Sequence, residues 1–196
     1  MTPLETYRLI LTPLTLADAP AIQAAFPAWE VVRWLANVVP WPYPDDGAET
    51  FVSEIALPAM AAGAAWHWSI RRKAEPGRLI GVVTLTDKED DNRGFWIAPE
   101  WQRQGFATEA SAAVTDYWFE GLGKPVLRVP KAIANPASRR VSEKQGMRVV
   151  RQLELPLVSG TQAAELWEID RETWRQRRAS AEPMSGPIRV KGDLDR

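Results

Sequence analysis

The sequence predicts an α/β (α+β) fold, with a mixed, mostly antiparallel central sheet flanked by helices. Three observations point there. Segments with strand period and segments with helix period alternate along most of the chain. Between residues 65 and 98 three strand-like segments follow one another across short turns, as in an antiparallel meander. From residue 93 to residue 129 a strand, a helix and a strand come in that order, which implies a right-handed crossover between parallel neighbours. With 196 residues, the chain suits one domain with a full core and a tail. Residues 1–179 read as that domain. Residues 180–196 carry Pro, Gly and charge without periodicity and read as a mobile tail.

Glu5 to Pro13 alternates Tyr7, Leu9 and Leu11 with polar neighbours and reads as the first strand. Thr15, with Asp18 three residues on, caps a helix that Pro27 stops after Phe26. Trp34 to Pro44 holds three prolines within five residues and is irregular. Asp45 or Asp46 starts a helix from Ala48 to about Ala61, with Phe51, Ile55 and Met60 on one face. Trp66 to Arg71 and Arg78 to Thr86 are strands joined by a turn at Glu75-Pro76-Gly77, and Arg93 to Ala98 is the third strand of the meander. Phe106 to Glu120 carries an apolar stripe of Phe106, Ala110, Ala113, Val114, Tyr117 and Trp118, and reads as a helix closed by Gly121 or Gly123. Val126 to Val129 is a short buried strand. Asn135-Pro136 is an N-cap followed by a favoured first helical residue, and Gly146 closes that helix. Arg148 to Leu157 and Ala164 to Asp170 form a hairpin, and Arg171 to Ala179 a polar helix.

Composition excludes several function classes. There is no cysteine, so disulfides, a catalytic thiol and thiolate metal sites are out. A single histidine, His67 between two tryptophans, leaves no His-rich metal site and reads as a packed strand residue. No metal is expected. The net charge of −1 provides no field for nucleic acid or anionic lipid. The basic clusters Arg71–Lys73 and Arg175–Arg178 read as solvated surface. No apolar run approaches the roughly 20 residues that span a bilayer, and the first residues lack a signal-peptide pattern, so the cytoplasm is the expected location. Ten tryptophans are the unusual feature. Most suit a core, but Trp34 and Trp41, with Tyr43, lie in the proline-rich loop and are candidates to wall a substrate pocket.

The segment with chemical character is Gln102-Arg103-Gln104-Gly105-Phe106-Ala107-Thr108. It leads from a strand into a helix, so its free N–H groups and the helix dipole favour an anion. Gly105 removes a side chain where a phosphate would approach, and Ala107 stays small. The geometry suits a pyrophosphate. It matches neither a P-loop nor a dinucleotide fingerprint.

Gln102-x-x-Gly105-x-Ala107 resembles the pyrophosphate motif of the GNAT N-acetyltransferases. Gly94-Phe95-Trp96-Ile97-Ala98-Pro99-Glu100-Trp101 resembles the strand and turn before that motif. Asn135-Pro136-Ala137-Ser138 and Glu143-Lys144-Gln145-Gly146-Met147 resemble the signature of the branch that acetylates N-termini of ribosomal proteins (the RimJ/RimL-like branch). Arg8-Leu9-Ile10-Leu11 and Pro42-Tyr43 fit the same branch. The resemblance covers about residues 4 to 175 and implies an acetyl-CoA-dependent N-acetyltransferase working by direct attack of a primary amine. It implies that the amides from Arg103 to Thr108, with Gln102 and Lys144, hold CoA. It further implies that Trp96, Ile97 and Ala98 meet the pantetheine arm and that Asn135 and Ser138 line the thioester. Ser138 matches the branch's proposed acid, or else supports the helix start. Ser142, one turn on, is a second candidate. Asn92 stands where many relatives carry a basic Glu, so the resemblance assigns no base, and a CoA-binding module without turnover is the alternative. The acceptor is a protein N-terminus or a small-molecule amine, and the branch suggests a homodimer.

Overall fold

The computed structural model describes residues 1–180; the expected tail lies outside the described residues, apart from Ser180 at the end of the last helix. Strands β1 (Leu4–Glu5) and β2 (Leu9–Pro13) pair antiparallel. One continuous strand was expected from Glu5, with Tyr7 facing inward beside Leu9 and Leu11. The chain instead bends between the strands, so Tyr7 is 75% exposed while Leu9 and Leu11 are fully buried. The cause is Glu109, whose carboxylate accepts the Thr6 hydroxyl and the Arg8 backbone N–H and so draws the bend outward.

A box formed by Thr15 and Asp18 starts α1 (Ala19–Ala25), and a further short helix follows, α2 (Trp29–Val32). The next helical stretch is α3 (Gly47–Thr50), a wide-turn segment Phe51–Ala56, and α4 (Leu57–Ala61). Its buried row is Ala48, Val52 and Ala56, whereas Ile55 is 58% exposed. Of the expected face, Phe51 and Met60 pack partly buried against that core, and Ile55 does not. The fourth-residue row of small side chains faces inward, packing with Leu79 and Val82 of the sheet.

Strands β3 (Ala65–Arg72), β4 (Glu75–Thr86) and β5 (Arg93–Ile97) complete a five-stranded antiparallel sheet in the order β1-β2-β3-β4-β5. The chain turns at Lys73-Ala74, not at Glu75-Pro76-Gly77. Arg72 pairs with Glu75 while Arg71 pairs with Leu79, so Pro76, Gly77 and Arg78 bulge out of the ladder. Pro76 has no ladder N–H to lose there, and the Arg71 guanidinium donates to the Pro76 and Gly77 carbonyls.

Helix α5 (Phe106–Asp116) runs into a wide turn, Tyr117–Gly121. After it come β6 (Val126–Ala132), α6 (Pro136–Lys144), β7 (Arg148–Leu157), β8 (Gly160–Asp170) and α7 (Arg171–Ser180). Strands β6, β8 and β7 form a second, antiparallel sheet. The ladder expected between β5 and β6 does not form. Hydrogen bonds join the two only at Asn92, which donates its N–H to the Arg128 carbonyl at 2.8 Å and accepts the Arg128 N–H on its side-chain oxygen at 2.7 Å. Beyond that clamp no ladder joins them, and the sheets part. One core, on the α5 side, gathers Leu9, Trp68, Ile97, Phe106, Leu127 and Val129. The other, under α1 to α4, gathers Ile22, Phe26, Val52 and Val82.

Candidate active site

Alternation along β5 divides its side chains between those cores. Arg93, Phe95 and Ile97 point to the α5 face, and Trp96 packs into the α1 face, its ring edge-on to Phe26 at 5.2 Å. Gly81 on β4 permits the close approach of β5, because a Cβ there would lie 2.2 Å from the Trp96 carbonyl oxygen.

The loop after β5 is built from backbone. Arg103 sits at φ 61° and Gly105 at φ 83°, and Gly105 is the N-cap of α5. These left-handed residues turn successive N–H groups outward, an anion-binding arrangement. Among the described residues, no acceptor is found for the backbone N–H groups from Arg103 to Thr108. Gln102 folds back to donate to the Ile97 carbonyl at 2.9 Å, and Gln104 donates to the Glu100 carbonyl at 3.2 Å. Arg8 braces the loop from outside: it donates to the Gln104 carbonyl at 3.0 Å, pairs with Glu109 at 2.7 Å and lies 4.5 Å from the Phe106 ring centre. That brace was illegible in the sequence, because its members stand about a hundred residues apart.

Ile97 and Ala98 are buried beside this loop, with the Ala98 N–H given to the Ile80 carbonyl. Across the gap, Asn135 caps α6 by accepting the Ser138 N–H at 3.1 Å. Ser138 is half-buried, and no protein partner is found for its hydroxyl among the described residues. Ser142 is completely buried, and among the described residues its hydroxyl has no partner. Lys144 is exposed in the last turn of α6, about 13 Å along the helix from Asn135.

The aromatic loop closes the opposite face. Tyr43 packs edge-on against Phe26 at 4.9 Å, and burial raises its hydroxyl to about 12. Tyr43 and Trp96 thus share Phe26. Trp41 is 42% exposed and leans on Trp29 at 5.4 Å, and Trp34 carries the Arg33 guanidinium at 4.3 Å. The Asn37 and Val158 N–H groups bond Pro156 and Leu35, pinning the start of this loop to the β7–β8 hairpin.

Asn92 is 4% exposed, and its amide group ties β6 to the Thr86 carbonyl. The acidic loop before it is largely spent on ion pairs: Asp87 with Lys124, and Asp90 with Arg128 and Arg151. Asp91 is raised by burial. Two cations on the α5 side went unnoticed in the sequence. Arg93 is buried, donates to Thr115 and the Ser111 carbonyl, and is lowered to about 9 by burial. Lys131 is 7% exposed, lies 4.9 Å over the Phe95 ring and is lowered to about 7, first by burial and then by Arg93. Its signal was the alternation Leu127-Val129-Lys131, which puts a lysine on a core face.

The GNAT acetyltransferase domain family matches residues 8–148. Over 146 residues the chain is 35% identical to YoaA, an N-acetyltransferase of Bacillus subtilis strain 168 described as uncharacterized, covering 73% of this chain and 81% of that one. Its fold is similar to a ribosomal-protein-S5-alanine acetyltransferase of Vibrio fischeri, with a TM-score of 0.75 at 15% identity over 89% of this chain and 99% of that one. It is also similar to a spermidine N-acetyltransferase of Vibrio cholerae solved with CoA and spermine, with a TM-score of 0.70 at 21% identity over 85% and 98% of the two chains. The chain belongs to the GNAT N-acetyltransferases. Among the described residues no helix is long and apolar enough to cross a membrane, and no cluster of potential metal ligands occurs.

Proposed function

We propose that the protein transfers the acetyl group of acetyl-CoA to a primary amine by direct attack, as a cytoplasmic enzyme. The observation that carries this reading is the run of six N–H groups, Arg103 to Thr108, without a partner among the described residues, in the loop that follows β5 beside the gap between β5 and β6. Those residues fit a pyrophosphate: Gly105 offers no side chain, and the start of α5 adds its dipole. Gln102 fixes the loop to Ile97, and Asn135 with Ser138 lines the sulfur side from the start of α6.

The amine then enters from the opposite face, along Trp34, Trp41, Tyr43 and Trp96. Attack through the gap puts acceptor and leaving thiol on different faces of the sheet, so neither displaces the other. Asn92 is a structural clamp and carries no proton. The attacking amine therefore loses its proton to water or to Asp91, whose burial favours the protonated acid.

The test is a titration of acetyl-CoA followed by thermal denaturation, then thiol release against short peptides, polyamines and amino acids in the same sample. A raised melting temperature with thiol release is expected, and the productive amine names the acceptor. A raised temperature with no release from any amine supports a CoA-binding module without turnover. No thermal response overturns the reading.

A further inference from the structure

We infer that Lys131 is the acid of this transfer: its ammonium stands on the leaving-group side of the gap, stabilises the CoA thiolate and returns a proton to it. The inference rests on the acetyltransferase reading above. Three considerations support it: placement and charge carry it, and the proton chemistry follows from them.

The first is placement. Lys131 follows Leu127 and Val129 on the inward row of β6 and lies against Phe95 of β5, so its side chain crosses the gap that separates the sheets. Phe95 faces α5, whereas Trp96 and Tyr43 face the aromatic loop. Lys131 is therefore on the side away from the candidate acceptor walls. It is poorly placed to touch the entering amine and well placed for the departing sulfur.

The second is charge. Among the described residues, no ion pair or hydrogen bond reaches the Lys131 ammonium. The buried Arg93 guanidinium stands close enough to repel it. Two buried cations without a contacting carboxylate are costly, and such an arrangement is characteristic of sites where an anion forms. The other charges nearby are spoken for. Glu165 of β8 pairs with Arg139 of α6, and Glu168 with Arg128 and Arg148. Helix α5 offers Arg93 only Thr115 and a carbonyl, and the buried groups Ser142 and Gln145 of α6 are neutral. Asp91 is the one carboxylate that acts on Lys131, at a distance beyond an ion pair. The anion that leaves during acetyl transfer is the thiolate.

The third is proton chemistry. Burial and Arg93 hold Lys131 near neutrality, where a general acid is most effective. The Ser138 hydroxyl is a far weaker acid at that pH, and it orients the sulfur. The step balances simply. The amine nitrogen bonds to the acetyl carbon, the carbon–sulfur bond breaks with its electron pair on sulfur, and a Lys131 proton goes to that sulfur. Lys131 is left neutral and recovers its proton from solvent, to which the amine's proton is released directly or by way of Asp91.

The probe is CoA itself, the free thiol. Thiolate absorbance of bound CoA is titrated against pH in the wild type and in Lys131→Met, with CoA affinity measured on the same samples. The wild type is expected to hold the bound thiol at least about tenfold more ionised than Lys131→Met does at a given pH. CoA affinity measured where the thiol stays protonated is expected to agree within about threefold, because neutral thiol gains little from the ammonium. In the acetyl-transfer assay, Lys131→Met is expected to lower kcat about 10- to 100-fold and to remove the alkaline fall of the pH profile. Lys131→Leu, which continues the apolar row of Leu127 and Val129, serves if the methionine variant does not fold. Equal thiol ionisation in wild type and a folded variant, with CoA bound to both, overturns the assignment of Lys131 alone. Absence of CoA binding by the wild type overturns the acetyltransferase reading, and this assignment with it.

Discussion

The two faces of the gap between β5 and β6 are built by different means. The α5 face holds its candidate ligand groups on backbone: a glycine at positive φ, a run of free N–H groups and a helix start, braced by Arg8 and Glu109. The opposite face is made of side chains, with Tyr43, Phe26 and Trp96 in edge contact and Trp41 and Trp29 leaning together nearer the solvent. Backbone geometry leaves little room for variation, because each N–H has one position once the chain is folded. An aromatic wall tolerates exchange of its parts. The first face suits a cosubstrate common to a family, and the second suits an acceptor that differs from member to member.

Breaking the backbone face has the largest expected effect. Gly105→Val places a branched side chain at φ 83° with its Cβ 3.3 Å from an Arg8 nitrogen, so the loop must move. Acetyl-CoA affinity is expected to fall by more than about 100-fold, read by calorimetry, while the helical and strand content stays as in the wild type. Asn92→Ala comes next. It removes the side-chain link between the sheets and leaves the Arg128 N–H without its acceptor, at a cost of about 1–3 kcal/mol, measured by denaturant unfolding. Turnover is expected to drop with stability, because the clamp sets the angle at which the gap opens.

Trp41→Ala sharpens the comparison from the other side. Its ring is part-exposed on Trp29, so the fold is expected to survive. The acceptor KM is expected to rise several-fold with the acetyl-CoA KM unchanged, in initial-rate assays varying each substrate in turn. The smallest effect concerns neither face. His67 bonds Thr84 at 2.8 Å and is lowered to about 4 by burial. The unfolded chain therefore binds a proton that the folded chain refuses between about pH 4 and 6.5, and stability falls as pH falls through that window. His67→Phe is expected to flatten this part of the stability–pH curve, by up to about 3 kcal/mol.

What the sequence revealed follows the same division. The loop from Gln102 to Thr108 and the cap at Asn135 were legible because glycine, proline and capping residues write backbone geometry locally. The helix Phe106 to Glu120 was legible because its stripe repeats at the helical period. The expected inward Tyr7 failed because Glu109, distant in sequence, recruits Thr6 and Arg8. The turn at Pro76-Gly77 became a bulge because Arg71 satisfies its carbonyls. Ile55 lost the core face to a row of smaller side chains whose advantage appears only against the sheet. Asn92 was read as a missing base, and its role as a clamp depends on Arg128 of another strand. Lys131 escaped notice because an end at Val129 stops the strand three residues early.

The central claim, that the loop from Arg103 to Thr108 holds the pyrophosphate of acetyl-CoA, is tested most directly by titrating acetyl-CoA into the wild type and Gly105→Val in parallel. The account predicts saturable one-to-one binding to the wild type and none detectable to a folded Gly105→Val. Equal affinity for the two proteins, or no binding to the wild type, would contradict it.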